Sequence, residues 1–427
     1  MLGCLISTPL SFDQGELTGG RVRFGRWVPQ EKKCGRAGEG TRLKAAKADL
    51  PWDAARMLRA YNATLDDAVE LAVREKYDDF TYKKAVHQCD QLDGAAAAIR
   101  VAEAAENRVA NPQAVESTEA RRWRCDAHAR LGAAGVGLLI GVHTSPMTQV
   151  RRIAIRRTWA AYSSNASLVC FIVGLAGLSE AVQQSLREES TTHGDLVLLP
   201  DVEDGRCHIT IQKAHGWWRW AANTGVGHVA RVDDDAFVHI PRLEAALAPL
   251  RCHPRLVFGA LAYVGYNPAT FRKCGYSWGG DRAWRRYGCA SGGSHRPSLF
   301  PSGMLQVLSA PVVAALDASS TISEFVRRSR ELIDLRDWDR TEDVALGFWL
   351  HQLLAEGKLP RIVYARASSS AAHNLGCQKH DSLYRNPRAS SVVVHYVKKP
   401  SGMEYLQRVF AGAPHVGKAC TRAAGVG

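Results

Sequence analysis

The hydrophobic pattern of the chain changes texture at about residue 131. The run Val136-Gly137-Leu138-Leu139-Ile140-Gly141-Val142 is apolar throughout and too short for a globular helix, which predicts a buried strand. Comparable short runs recur at 167–173, 196–199 and 228–232. Between them, 151–161, 179–189 and the tryptophan-rich 209–222 carry helical spacing or propensity. Regular alternation of strand and helix predicts an α/β core with a mostly parallel sheet flanked by helices. In such sheets ligands gather beyond the carboxyl ends of the strands.

The flanks lack this alternation. Residues 1–45 are rich in Gly, Lys and Arg without a stable period and are expected to be a disordered basic segment. Residues 46–130 are rich in Ala, Glu and Arg, with helical stretches at 65–73 and 95–109, the second broken at Asn111-Pro112. They read as a helical stem or accessory region. The core is expected over 131–400 and a tail over 401–427. Within the core, 258–310 is rich in Gly, Trp, Tyr and Arg and reads as long ligand-holding loops.

Composition narrows the class. With 427 residues, 46% of them hydrophobic, the chain can bury one large or two ordinary cores. Its net charge of +13 admits nucleic acid, anionic membranes or phosphate-bearing ligands as partners. No lysine-rich tail or nucleic-acid motif is present, so a diffusely basic surface and no nucleic acid partner are expected. The 11 cysteines include no C-x-x-C pair, which argues against a zinc ribbon or a thioredoxin motif. Their number fits an oxidising compartment; Cys274 and Cys289 flank one loop as a candidate bridge, and an odd count leaves at least one cysteine free or paired outside the chain. Asn62 and Asn165 begin N-x-S/T sequons. No apolar segment approaches 20 residues, so no transmembrane helix is expected, and the apolar residues 1–10 lack the basic leader of a signal peptide.

The densest chemistry is Asp233-Asp234-Asp235, at the end of the 228–232 run. Adjacent carboxylates repel, so such a run faces water or holds a cation. A calcium EF-hand is excluded, because Phe237 and Val238 stand where an oxygen ligand and a glycine are required. A hard divalent ion at a strand end, bridging carboxylates to a substrate's phosphates, is the chemical alternative to a solvated turn.

Two further segments frame this run. Upstream, Arg152-Ile153-Ala154-Ile155-Arg156-Arg157-Thr158-Trp159 follows the first strand, and downstream stands Glu342-Asp343-Val344-Ala345-Leu346-Gly347. Together, in this order and over roughly 135–400, they resemble the motifs of the β-1,3-galactosyltransferase family, Golgi β-1,3-hexosyltransferases with a GT-A fold. The resemblance implies an inverting, Mn²⁺- or Mg²⁺-dependent enzyme. It would transfer galactose or N-acetylglucosamine from a UDP-sugar to a glycan or glycoprotein hydroxyl, through a β-1,3 linkage. It also implies a lumenal Golgi location on a membrane anchor, although this chain shows no anchor. By the same resemblance Asp235 is the direct metal ligand, with Asp233 and Asp234 holding ribose and metal-bound water. Asp343 is the base, with Glu342 as rival or acceptor-side partner. Arg152, Arg156 and Thr158 face the nucleotide, Arg231 stands where the family usually has lysine, and Gly303 lies on the acceptor side. His395 completes the metal shell, with His373 as rival.

The chemistry is self-consistent: charge grows on a departing diphosphate, which a metal stabilises, while a carboxylate takes the acceptor's proton. A single displacement inverts the anomeric carbon. Simpler roles compete, with Glu342 and Asp343 as first-turn acids of a helix and Trp159 as core. Alternatives at the level of function are a glucuronosyl- or chondroitin-type transferase, and a relative that binds nucleotide or carbohydrate without catalysis.

Overall fold

The computed structural model describes residues 135–164, 166–204, 210–267, 272–277, 298–332, 342–376 and 384–412, with 82, 83, 85–87, 89, 124, 125, 131 and 132. Expectations for 1–45, for most of 46–130, for Asn62, Asn165 and Cys289, and for the side chain of Cys274 lie outside the described residues.

Strands β1 (Leu138–His143), β2 (Ser167–Ala176), β3 (Leu196–Glu203) and β4 (His228–Asp233) run parallel in the order β3-β2-β1-β4. Helices α1 (Gln149–Arg157), α2 (Glu180–His193) and α3 (Thr210–Ala222) make the crossovers. Every side chain of β1 is buried, as a parallel strand covered on both faces requires. Alternate residues serve two cores. Leu139 and Val229 pack with Trp217 and Trp218 of α3 on one face, while Ile140, Val142 and Val232 pack with Ile155 of α1 on the other. The approach of α3 is close enough that a Cβ on Gly141 would lie 2.4 Å from the Trp217 ring, which explains a glycine in mid-strand.

The sheet then turns antiparallel. After the short β5 (Phe237–Val238) and α4 (Ile240–Leu247) come β6 (Leu256–Asn267), β7 (Arg272–Ser277) and β8 (Ser298–Ser309), extending the order as β4-β8-β6-β7. Where residues 258–310 are described, the expected long loops are strands up to Ser309; residues 268–271 and 278–297 lie outside the described residues. Pro301 and Gly303 disguise β8 as a loop in sequence, and a register shift of β6 between Gly259 and Leu261 accommodates the stretch opposite Pro301.

Helices α5 (Ala310–Asp317), α6 (Ser320–Leu332) and α7 (Glu342–Ala355) cover the α3 face. Residues 344–353 of α7 are all buried. Strand β9 (Val363–Arg366) pairs with β6. A second sheet, in the order β11-β10-β12-β5, is built from β10 (Ala372–Leu375), β11 (Tyr384–Arg385) and β12 (Val393–His395) with β5. Helix α8 (Pro400–Phe410) buries Met403 and Leu406 in the second core, so the compact domain continues past residue 400 to Phe410. Disulfides Cys125–Cys170 and Cys89–Cys252 tie upstream segments to this domain. Near the second bridge, the Tyr82 hydroxyl donates to the Ala246 carbonyl at 2.9 Å.

Candidate active site

Strand β4 ends at Asp233, and the following turn places three carboxylates at the carboxyl edge of the parallel strands. They have different partners. The Asp234 carboxylate accepts from Arg151 Nη1 at 2.5 Å and from the Thr144 hydroxyl at 3.3 Å. Burial raises the Asp234 pKa, outweighing the opposing effect of Arg151.

Asp233 and Asp235 meet His395 at the end of β12. His395 Nε2 lies 3.1 Å from Asp235 Oδ1 and 3.5 Å from Asp233 Oδ2. Its Nδ1 lies 2.8 Å from Asn374 Oδ1; an amide oxygen only accepts, so Nδ1 carries a proton and Nε2 is directed at the carboxylates. Burial opposes protonation of His395, but its contacts with Asp233 and then Asp235 prevail and push its pKa up to about 9. Burial likewise opposes ionisation of Asp235, yet His395 and Lys398 hold its carboxyl well below the usual range.

Tyr396 adopts φ 64°, an uncommon left-handed conformation for a bulky residue. Around this kink, Val397 N–H donates to the Asp235 carbonyl at 2.8 Å and the Lys398 ammonium bonds its carboxylate. Side chain, backbone and ammonium thus converge on one aspartate.

The donor set suits a metal. Asp233, Asp235 and His395 each present a ligand atom within 4.8 Å of the others. Two carboxylate oxygens and one imidazole nitrogen fit Mn²⁺, and Mg²⁺ less well because it prefers oxygen alone.

The other side of the site is organised by Arg231, which is 1% exposed. Its Nε donates to His143 Nδ1 at 2.9 Å, and its Nη2 lies 3.4 Å from Asp233 Oδ1 and 3.3 Å from Glu342 Oε1. Glu342 and Asp343 open α7, where acids suit the positive end of the helix dipole. Asp343 Oδ1 accepts from the Val344 N–H at 2.9 Å. Gly303 of β8 completes the wall, since a Cβ there would stand 2.7 Å from Asp233 Oδ2.

Asp233, Asp234, Asp235, His395, Arg231, Gly303 and Glu342 therefore gather around the strand end, and Asp343 follows Glu342 at the start of α7. Arg152, Arg156 and Thr158 do not join them. Arg152 forms a two-pronged ion pair with Glu189 of α2, at 2.9 and 2.6 Å, and donates to the Ser145 carbonyl. Arg156 bonds Asp195 and Glu189, and the fully buried Thr158 hydroxyl returns to the Ala154 carbonyl at 2.7 Å. These residues lock α1 to α2, and Trp159 is core. His373 is also structural, bonded to Ser391 Oγ at 2.8 Å. His143 and Asn374 carry no signal in sequence, while Arg151 and Lys398 stand close to the residues that do, Arg152 and His395.

Known proteins share parts of this chain. Residues 150–354 match the family model described as galactosyltransferase. Over those residues the chain is similar to that family. Mouse "Beta-1,3-galactosyltransferase 6" is 32% identical over 218 residues, covering 50% of this chain and 59% of the mouse protein. A mouse acetylgalactosaminyl-O-glycosyl-glycoprotein β-1,3-N-acetylglucosaminyltransferase is 36% identical over 118 residues, covering 25% of this chain and 30% of that protein. The chain thus spans less than two thirds of either relative's length. Among solved structures, the galactosyltransferase LgtC with donor and acceptor sugar analogs overlaps 66% of this chain and 98% of its own, at 12% identity and a TM-score of 0.34. The matched stretch runs from the start of α1 into α7, and so includes the acidic run, Arg231, Gly303 and Asp343; Asn374 and His395 lie beyond it.

Proposed function

We propose that the chain is an inverting, metal-dependent glycosyltransferase that moves a hexose from a UDP-sugar to a glycan or glycoprotein hydroxyl. Galactose or N-acetylglucosamine is the transferred sugar and the linkage is β-1,3, in keeping with the names of the two mouse relatives. The observation that carries this reading is the juxtaposition of Asp233, Asp235 and His395 with the acid-bearing start of α7, bridged by Arg231.

Asp235 and His395, with Asp233 beside them, would hold Mn²⁺ (or Mg²⁺), which supplies Lewis-acid stabilisation to a departing diphosphate. Asn374 fixes the His395 ring for this task. Asp234, held by Arg151, serves the nucleotide side. Asp343 takes the acceptor hydroxyl's proton as the new bond to the anomeric carbon forms and the bond to the diphosphate oxygen breaks. The family resemblance supports Asp343 as the base, and Glu342, in contact with Arg231, belongs to the acceptor side.

A lumenal Golgi location with membrane association follows from the family, and the two disulfides support an oxidising compartment. No helix among the described residues is long and apolar enough to cross a membrane.

The test is UDP release from a panel of UDP-sugars with simple sugar acceptors, with Mn²⁺ or with chelator, by wild type and Asp343→Asn. Chelator-sensitive release from UDP-galactose or UDP-N-acetylglucosamine is expected. It should fall by about 10²-fold or more in the variant while UDP binding persists. Preference for UDP-glucuronate would move the assignment to the glucuronosyl alternative. Metal-dependent UDP binding with no turnover would make the chain a binding relative, and absence of UDP binding would reject the reading.

A further inference from the structure

We propose that His143 and Arg231 form a positioning clamp that fixes the start of α7, and with it Asp343, relative to the Asp233 end of β4. The kinetic consequence rests on the transferase reading above; the clamp itself rests on geometry.

The two side chains share one face of the sheet. Adjacent parallel strands β1 and β4 pair Gly141 with Arg231 and His143 with Asp233, so alternation puts His143 and Arg231 on the α3 and α7 face. The guanidinium then reaches in separate directions. Nε goes to His143, while Nη2 lies between Asp233 and Glu342. A planar fork can do this; a lysine, with one nitrogen on a flexible stem, cannot reproduce all three contacts.

His143 orients that fork. Its Nδ1 accepts from Arg231, so the ring needs a free lone pair there and carries its proton on Nε2. Burial, with the neighbouring Arg231 and Lys213, keeps the ring neutral and the lone pair available. Arg231 is 1% exposed and His143 8%, so water cannot readily replace the missing acceptor if His143 is lost. The guanidinium would rotate to find another partner and release Glu342. Residue Asp343 follows directly in the chain, and a displacement of about 1 Å at a reacting group costs roughly 10²-fold in rate.

The test compares wild type, His143→Leu, His143→Asn, Arg231→Lys and the His143→Leu/Arg231→Lys double variant. The asparagine presents an acceptor oxygen near the place of Nδ1, whereas leucine does not. For His143→Leu we expect kcat to fall about 10²-fold, with metal-dependent UDP affinity within about threefold of wild type. His143→Asn should regain most of the loss, and the double variant should be little worse than Arg231→Lys alone, because the two residues act as one unit. Equal losses in His143→Leu and His143→Asn, or multiplicative losses in the double variant, would overturn the clamp.

Amide hydrogen exchange over 342–346 gives a readout independent of turnover. Faster exchange is expected in His143→Leu and recovery in His143→Asn. If wild type turns over no UDP-sugar, the transferase reading fails, and this exchange pattern alone still upholds or rejects the clamp. Should His143→Leu not fold, the Arg231→Lys exchange decides: unchanged protection of 342–346 would sink the proposal.

Discussion

At the scale of single residues, the site is built from close approaches that leave little room. Gly303 has no need of a left-handed backbone; it is required because Asp233 occupies the space a side chain would take. Gly303→Ala should displace the Asp233 carboxylate and weaken Mn²⁺-dependent UDP binding about tenfold or more, by titration calorimetry, with smaller effect on metal-free stability. Asn374 acts through His395, whose ring it holds by one hydrogen bond. Asn374→Ala should lower metal affinity about 10–100-fold while leaving the fold intact. Unchanged affinity in that variant would remove Asn374 from the site. The carboxylates stood out in sequence as an acidic run after an apolar one, whereas His395 was reached through the family resemblance. Asn374 was not legible, since an asparagine in a short strand carries no signal until its strand is known to lie beside the histidine's.

At the scale of elements, the arginine-rich helix α1 shows how a motif can be read correctly and aimed wrongly. Arg152 and Arg156 are four residues apart and share one helix face, but spacing does not say what that face meets. It meets α2: Arg152 and Glu189 side chains are 1% and 4% exposed. Breaking such a pair leaves an uncompensated buried charge, so Arg152→Ala should destabilise the domain by about 3–5 kcal/mol in denaturant unfolding.

The pH dependence has a definite sign. Burial raises the Glu189 pKa, but Arg152 and Arg156 outweigh it and hold the folded-state value below the ordinary 4.5. Its stabilisation is therefore fully present above pH 4.5 and is lost as pH falls through the depressed value. The Tm difference between wild type and Glu189→Gln should be constant near neutrality and shrink on acidification below that point. A difference that widened with acid would contradict the assignment.

For the whole molecule, two disulfides join segments far apart in sequence to one domain. Cys125 and Cys170 are 45 residues apart, and closing a loop of that length removes chain entropy worth about 4 kcal/mol at most. Replacing both by alanine should lower the unfolding midpoint in urea, with little change in UDP affinity because both residues lie away from the strand-end site. A loss of UDP binding at full folding would show that the bridge also shapes the site. The bridges join upstream segments to the α/β domain and place Cys89 and Cys125 of the expected accessory region against it.

The sequence by itself determined the parallel half of the sheet and the carboxylates at its edge. Continuous apolar runs and strand–helix alternation are local signals, and an acidic triplet after such a run is legible without neighbours. Only the tertiary structure decided the antiparallel half, where Pro301 and Gly303 read as breakers and are tolerated because of a shifted register and a neighbouring carboxylate. It also decided the partners. Whether an arginine meets a substrate or a glutamate, and whether a histidine orients a guanidinium, depends on contacts between residues up to 111 positions apart, as between Arg231 and Glu342. Such contacts follow from which faces of the elements pack together, and a linear pattern of residue types does not encode that pairing.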